Sequence, residues 1–545
     1  LLVLANMSLA IYIGITTLSR HFEYGSDREA RPLGLMIGLW IVASLLYLVT
    51  AWFMRKMDGR AAIFWGLVPA IIFRVVLLAS HPIQEVDLYR YLWDGAVGHS
   101  GTSPYLFAPM AAWPDDWVAE SAAESFVEAR TAGPAAALQR VQTLPLADDG
   151  LRAVLRRVHF AHVSTVYPPV SQWGFHLVHA VTPEGSSVWR RITLMRVWLV
   201  ICDLATLLVV MALLAKLGQP LGLAALYGWC PLVLKEVANS GHLDSMAVLC
   251  TTLAVYAAVR GWLATRPGAT VTWGGLSGLL LAMGIAAKVY PLVLIPWLAV
   301  GTWRFRGLRA AVWVTLLVVA ASYVLMRPML VQEQRGIRGE RQLGGLSTFA
   351  RYWEMNDFLF LLVHENLKPL ANREQKETAW FSVVPDGVRT DLINRIQLPF
   401  WPEQMVVTPF LASRLLTGIA YLLTMGWILY RSWSSDEVET WLNAAFLVIA
   451  WFFLWGPTQN PWYWLWAMPL IPFARLKAWW GLSGLLFLYY ARFWFEYHRT
   501  GIAVSGTRYE GAMYFHLVFV WFEFAPWFLL LCGEYWFRRR NITRT

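Results

Sequence analysis

Charge is scarce in this chain. Only 15% of its 545 residues are Asp, Glu, Lys or Arg, against the usual quarter. A soluble protein of this length would ordinarily divide into three or four domains of about 150 residues, and this one lacks the polar surface to cover them. Cysteine is equally sparse. Cys202, Cys230, Cys250 and Cys532 all lie inside apolar runs, so they read as small buried hydrophobes and give no disulfide framework or zinc spacing. No Gly/Ser-rich stretch and no period of 20–50 residues occurs, which excludes flexible linkers and solenoid repeats. The sequence has no His-x-x-x-His and no Asp-x-Asp, so no metal motif is indicated. The same composition excludes intrinsic disorder and a collagen-like fibre.

Apolar residues are abundant instead. They make up 57% of the chain, or about 60% with Gly counted and Tyr left out, where 45–50% is usual. That balance predicts an all-α polytopic membrane protein. Segments able to cross a bilayer fall near 1–18, 33–54, 62–81, 192–215, 222–236, 245–262, 273–287, 289–303, 310–327, 409–430, 440–456, 462–474, 478–494 and 513–536, giving about fourteen helices where a free span needs ~20 residues. The shorter ones are expected inside the bundle or under a local dent in the membrane. Residues 1–18 show no basic n-region or cleavage signal and are expected as a span. The 32 tryptophans suit two interfacial belts, and some could stack on a sugar face.

The net charge of +10 finds its explanation in topology. With the N-terminus inside, short inner loops and the C-terminal tail collect Arg55, Lys56, Arg60, Lys216, Arg260, Arg266, Arg304, Arg306, Arg309, Arg431, Arg475, Lys477, Arg538, Arg539, Arg540 and Arg544. The outer short loops hold chiefly Arg20, Arg28, Arg31, Arg499 and Arg508. This is the positive-inside bias, with both termini cytoplasmic, and it leaves no need for a nucleic-acid partner. The chain then divides into N-terminal spans (1–81), a first long outer segment (82–191), a transmembrane core (192–327), a second long outer segment (328–408) and C-terminal spans (409–545). Within the first outer segment, 151–160 is expected as a helix on the membrane surface, with Arg152, Arg156 and Arg157 toward lipid headgroups.

Unusual residues gather on the outer face. The run Glu85-Val86-Asp87-Leu88-Tyr89-Arg90-Tyr91-Leu92-Trp93-Asp94 puts Asp87, Arg90 and Asp94 at helical spacing. A carboxylate at the mouth of an apolar bundle, beside a cation, has the surroundings of a general base. The other reading is a helix start, with Asp87 as a capping or first-turn acid and Asp94 paired to Arg90. Tyr105 and Tyr167 stand in Pro-containing turns that fix loop shape or line a sugar cleft. Lys235, Glu236, His242 and Asp244 fall between two short spans, where ionisable groups are costly and are functional candidates by default, or simply pair with one another. Lys288 interrupts an apolar run just before Tyr290-Pro291. There it either snorkels to the interface or points into a cleft as a phosphate ligand. Gln459-Asn460-Pro461-Trp462-Tyr463 offers amides and aromatic faces for hydroxyl recognition and stacking, or an interfacial belt.

The strings VDLYRYLWDGAVGHSGTSPYLFAP, YPPVSQW, LYGWCPLVLKEVANSGHLDSMAVL, AAKVYPLVLIPWL and NPWYWLWAMPL, in that order, resemble bacterial membrane glycosyltransferases of the GT-C class. Within it the chain is similar to polyprenol-phosphate-mannose-dependent mannosyltransferases and glycosyltransferase family 87, over most of 80–475. The resemblance implies an enzyme of the bacterial plasma membrane with its site facing the exterior. It would move a hexose, mannose by default, from a polyprenyl-phosphate donor to a glycan, glycolipid or protein hydroxyl, with inversion and without a metal or other cofactor. The family's catalytic acid maps to Asp87, with Glu85 or Asp94 able to share the role where relatives carry adjacent acids. Three spans precede the first outer loop here, where the class more often has one. On this reading Lys288 meets the leaving phosphate, with Arg90, Lys235 and Tyr290 behind it. His242, Asp244, Tyr105, Tyr167, Gln459, Asn460, Trp462 and Tyr463 then contact sugar or acceptor. The rival classes are a flippase for a lipid-linked sugar, disfavoured by the lack of matched broken helices, and a non-catalytic scaffold.

Overall fold

A computed structural model describes residues 1–131, 133–337, 344–372, 377–395 and 409–542. Among the described residues there is no strand, and the only β pairing is the isolated bridges Met355–Thr458 and Ala503–Glu510. Among the described residues, ten helices are long and apolar enough to cross a membrane: Leu2–Phe22, Leu33–Met54, Gly59–Leu78, Val188–Lys216, Asp244–Trp262, Pro267–Ala287, Leu308–Arg335, Pro409–Trp433, Val438–Trp455 and Gly511–Arg540. The pair Leu221–Gly228 and Pro231–Asn239, bent by 46°, makes an eleventh if it is one span.

The remaining apolar segments do not form full-length helices. Residues 462–474 lie in the 3₁₀ turns Pro461–Trp466 and Met468–Phe473. Residues 289–303 are split between the 3₁₀ turn Tyr290–Leu294 and the short helix Ile295–Arg306. Residues 478–494 pass through two short helices separated by the 3₁₀ turn Leu486–Tyr490. Pro291, Pro461, Pro469 and Pro472 withhold the amides that an α-helix would need. The expectation that the shortest segments lie inside the bundle holds for 462–474, whose Trp464, Leu465, Met468 and Leu470 are buried.

Burial orders the bundle. Asp244–Trp262 and Val438–Trp455 are the most enclosed spans, whereas Leu2–Phe22 and Leu308–Arg335 keep most of their residues outward. The outward residues of the last include Leu316, Val319, Tyr323 and Val324, an apolar face suited to lipid. That helix continues through Pro328 to Ile337, so the second long connection starts later than the sequence suggests. A proline inside a membrane helix is tolerated where local adjustment re-satisfies the freed carbonyl. Parts of that connection, 338–343, 373–376 and 396–408, lie outside the described residues.

One buried ion pair ties three elements of the core. Arg74 Nε lies 2.5 Å from Asp203 Oδ2, both fully buried. The same guanidinium donates to the carbonyls of Ala70 and Gly228 at 2.9 Å, and Tyr227 Oη donates to Asp203 at 2.6 Å. Removing one partner strands a charge. Asp203→Leu is therefore expected to cost about 3–5 kcal/mol, seen as a large drop in unfolding temperature in detergent. An unchanged midpoint would show that the pair does not anchor the fold.

The first long connection is helical and packs down onto the spans. Asp87–His99 lies against Pro169–Ala180, and Gly95 permits the approach: a Cβ there would come 2.5 Å from the Phe175 carbonyl oxygen. The surface helix expected at 151–160 is shorter, Asp149–Leu155, and Asp148 caps it by accepting from Leu151 N at 2.9 Å. Arg152 and Arg156 lie over Trp117, but Arg157 lies past the helix end and turns over the rings of Tyr24 and Tyr89. It faces a cavity rather than lipid, because stacking on two aromatic rings holds the guanidinium there.

Candidate functional site

That cavity is about 1330 Å³ and opens between the connections at one end of the bundle. Its wall carries the cations Arg28, Arg31, Arg90, Arg157, Lys288 and Arg492, with the acids Glu23, Glu85, Asp87, Glu354 and Glu496 among them. Tyr167, Trp353, Asn460, Trp462, Tyr463 and Tyr489 supply aromatic and amide surface. Such a mixture of cations, acids and flat rings suits a ligand with both an anionic group and a hydroxyl-rich ring.

Asp87 begins the Asp87–His99 helix. The chain enters through Gln84 in the left-handed region (φ 52°), a conformation that costs energy for a non-glycine residue and clusters at functional sites. Arg31 holds the turn by donating to Gln84 Oε1 at 2.8 Å. Glu85, just before the N-cap Val86, accepts at Oε1 from the amides of Val86 at 2.8 Å and Asp87 at 2.5 Å. With the amides satisfied by its neighbour, the Asp87 carboxylate accepts no hydrogen bond among the described residues and faces the cavity.

Glu85 and Asp87 are driven apart in basicity. Glu85 Oε2 lies 2.9 Å from His242 Nε2, and Glu236 Oε2 lies 3.2 Å from the same nitrogen. Both contacts fall off the ideal N–H direction, so they are charge contacts more than aligned hydrogen bonds. Burial opposes the imidazolium of His242, but Glu85 and Glu236 outweigh it and push the group up to about 10. Burial also raises Glu85, and the facing His242 reverses that, holding the carboxyl below its ordinary value. Asp87 goes the other way, raised to about 6 by burial and by the Glu85 charge, with His242 and Lys288 pulling against them. Two adjacent carboxyls are thus separated in basicity by burial and by their different partners.

His242 is fixed by a chain of contacts reaching far along the sequence. Its ring stacks on Trp462, centroids 4.3 Å apart and planes 14° apart. Glu236 and Lys235 lie in a π-helical turn, Leu234–Asn239, a distortion frequent at functional sites. Lys235 contacts Glu236 at 3.2 Å and donates to Tyr490 Oη, which in turn donates to Glu236 Oε1 at 2.6 Å.

Lys288 closes the Pro267–Ala287 helix at the turn expected from the sequence. Its Nζ donates to Asp244 Oδ2 at 2.9 Å and sits 4.6 Å from the centre of the Tyr463 ring, with its side chain still part-exposed to the cavity. Asp244 is fully buried and also accepts from Trp466 Nε1 at 2.5 Å. The lysine is thus held by a carboxylate and a ring at the cavity wall.

Several candidate residues stand behind the wall rather than on it. Asp94 is buried, binding Arg90 Nε at 3.0 Å and accepting from Gln172 at 3.1 Å, so it orients Arg90, which does line the cavity. Tyr290 is buried, stacked on Trp466 with its hydroxyl 3.2 Å from Thr251. Gln459 is buried, donating to the Leu454 carbonyl at 2.7 Å, and Tyr105 donates to the Tyr167 carbonyl at 2.8 Å. Lys235, His242 and Asp244 also lie one layer back. Glu85, Asp87, Arg90, Tyr167, Lys288, Asn460, Trp462 and Tyr463 share the cavity.

Arg157, Arg492, Trp353 and Glu354 join the site with no local sequence signature beyond charge or aromaticity. Among the described residues, two trios offer ligand atoms within 4.8 Å of one another: Glu85, Asp87 and His242, and Glu354, Asp357 and His516. Their members come from distant parts of the chain, which is why no metal spacing is visible in the sequence. No known family model, curated protein or solved structure matches this chain.

Proposed function

We propose that this chain is an integral-membrane glycosyltransferase with a GT-C-like bundle of about fourteen apolar helical segments. It moves a hexose, with mannose favoured, from a polyprenyl-phosphate donor to a hydroxyl of a lipid-linked, glycan or protein acceptor, at the outer face of a bacterial plasma membrane. The observation that carries this reading is the Asp87 carboxylate: accepting no hydrogen bond among the described residues, facing a large cavity, and raised to about 6 by burial and by Glu85 against the pull of His242 and Lys288.

In the proposed reaction the acceptor oxygen bonds to the anomeric carbon as the bond from that carbon to the phosphate oxygen breaks. Asp87 takes the acceptor proton. The bonding pair leaves with the polyprenyl phosphate, whose growing charge needs cations more than a proton. Lys288 stands at the wall for that purpose, with Arg90, oriented by Asp94, beside the same cavity. Trp462, held flat by His242, and Tyr463 offer faces for the sugar ring. Glu85 and Asp94 serve as positioning residues in this scheme.

Acid/base logic gives a test. A base must be ionised to work, so transfer should fall as pH drops through about 6, where Asp87 takes up a proton. His242 keeps its proton over the same range, being raised to about 10, so the Glu85 contact persists and no second inflection is expected there. The measurement is kcat/KM against pH for sugar transfer in lipid nanodiscs. A profile flat down to the ordinary carboxylate range would remove Asp87 as the base.

A further inference from the structure

We infer that Glu354, Asp357 and His516 form a binding site for a divalent transition-metal cation beside the cavity. The three contribute one ligand atom each, all within 4.8 Å of one another. Two carboxylates and one imidazole are a donor set that zinc and manganese accept. The inference is independent of the glycosyltransferase reading.

The local chemistry has acceptors in excess. Asp357 is fully buried, and neither of its carboxylate oxygens accepts a hydrogen bond from another of the described residues. Glu354 Oε1, Asn356 Oδ1 and Glu523 Oε2 are likewise buried without a hydrogen-bond donor in range among the described residues. His516 Nε2 is 3.6 Å from Glu354 Oε1, and His364 Nε2 stands 4.0 Å from the other oxygen. Leaving buried acceptors without a donor is costly. A bound cation satisfies several of them at once.

The backbone builds the site firmly. Met355 N donates to the Pro457 carbonyl at 2.9 Å, and Gln459 N donates to the Met355 carbonyl at 2.8 Å. Asn356 turns the chain through the left-handed region (φ 52°), which asparagine tolerates. Its amide nitrogen donates to Glu523 Oε1 at 2.9 Å and to the Gln459 carbonyl at 3.2 Å. The two acids are therefore presented from a clamped turn, and His516 comes from the Gly511–Arg540 span. Access is from the cavity, because Glu354 lines it and the Glu354 and His516 side chains are 22% and 30% exposed. Three protein ligands leave at least one coordination position open, so the cation would join the last span to the cavity wall at Trp353–Met355 and keep a position for water or ligand.

The test uses the full chain in detergent, stripped with chelator, loaded with Zn²⁺ or Mn²⁺, separated from free ion, and assayed for metal by mass spectrometry. Wild type should retain about one equivalent at this site, and loading should raise its unfolding temperature. Asp357→Asn, which keeps the shape of the side chain, and His516→Ala should each lose that equivalent and the thermal shift. Glu85→Gln should keep both, which separates this trio from the one around Asp87. Wild type without bound metal after loading would overturn the proposal. So would retention in Asp357→Asn and His516→Ala equal to wild type, or loss confined to Glu85→Gln.

Discussion

Asp87→Asn is expected to lower sugar transfer by about 10²–10⁴-fold, the range for removing a positioned general base, while leaving donor binding and folding intact. The separation of effects follows from the contacts. The Asp87 carboxylate accepts no hydrogen bond among the described residues, so an amide in its place breaks nothing. Its raised basicity shows that the ionised form is held at a cost, from burial and from Glu85. Neutralising it should leave the unfolding temperature unchanged or higher. Glu85→Gln offers the contrast. Glu85 binds the amides of Val86 and Asp87 at the helix entry and faces His242, so that change should reduce stability and transfer together. Parallel measurement of unfolding and single-turnover transfer on both variants tells a base from a structural acid. Near-normal turnover in Asp87→Asn would end its assignment.

Lys288 carries the second large effect. An ammonium contact to a charged oxygen contributes about 1.5–3 kcal/mol, so its removal should weaken donor affinity by roughly 10- to 100-fold. Lys288→Met alone confounds this, because Asp244 is fully buried and loses its cation, which is itself strongly destabilising. The informative variant is Lys288→Met combined with Asp244→Asn, which removes the charge and its counter-charge together. Donor affinity should remain weakened in the double variant while the unfolding temperature recovers toward wild type. Unchanged donor affinity would return Lys288 to a structural partner of Asp244.

Much of this arrangement was legible from the chain. The longest apolar runs located ten spanning helices of the expected fourteen, or eleven with the bent pair, and the polar interruptions at Asp87, Lys288 and Asn460–Tyr463 do meet at one cavity. What sequence periodicity could not resolve is which side of an element faces the opening. Asp87 and Asp94 share a helix face by spacing, yet one meets the cavity and the other is buried against Arg90 and Gln172. Lys235 and Lys288 both interrupt apolar segments, and the difference lies in Tyr490 and Glu236, which close around the first. The pairing of Glu85 with His242 spans the whole first connection, beyond the reach of any local pattern. Arg157 looked like a headgroup contact because amphipathic spacing is the same whether the far side is lipid or cavity. Glu354 and Asp357 carried no mark at all, since their third partner, His516, stands on the last span.

The most direct test of the central claim is turnover by the purified wild-type chain in lipid nanodiscs. Polyprenyl-phosphate mannose and polyprenyl-phosphate glucose would be offered separately with a mixed lipid extract, and products read by mass spectrometry. A new glycosylated product that requires the polyprenyl-phosphate sugar and is missing with Asp87→Asn is the predicted result. Donor binding without any transferred sugar across a broad acceptor set would contradict the account and point to a carrier of lipid-linked sugars instead.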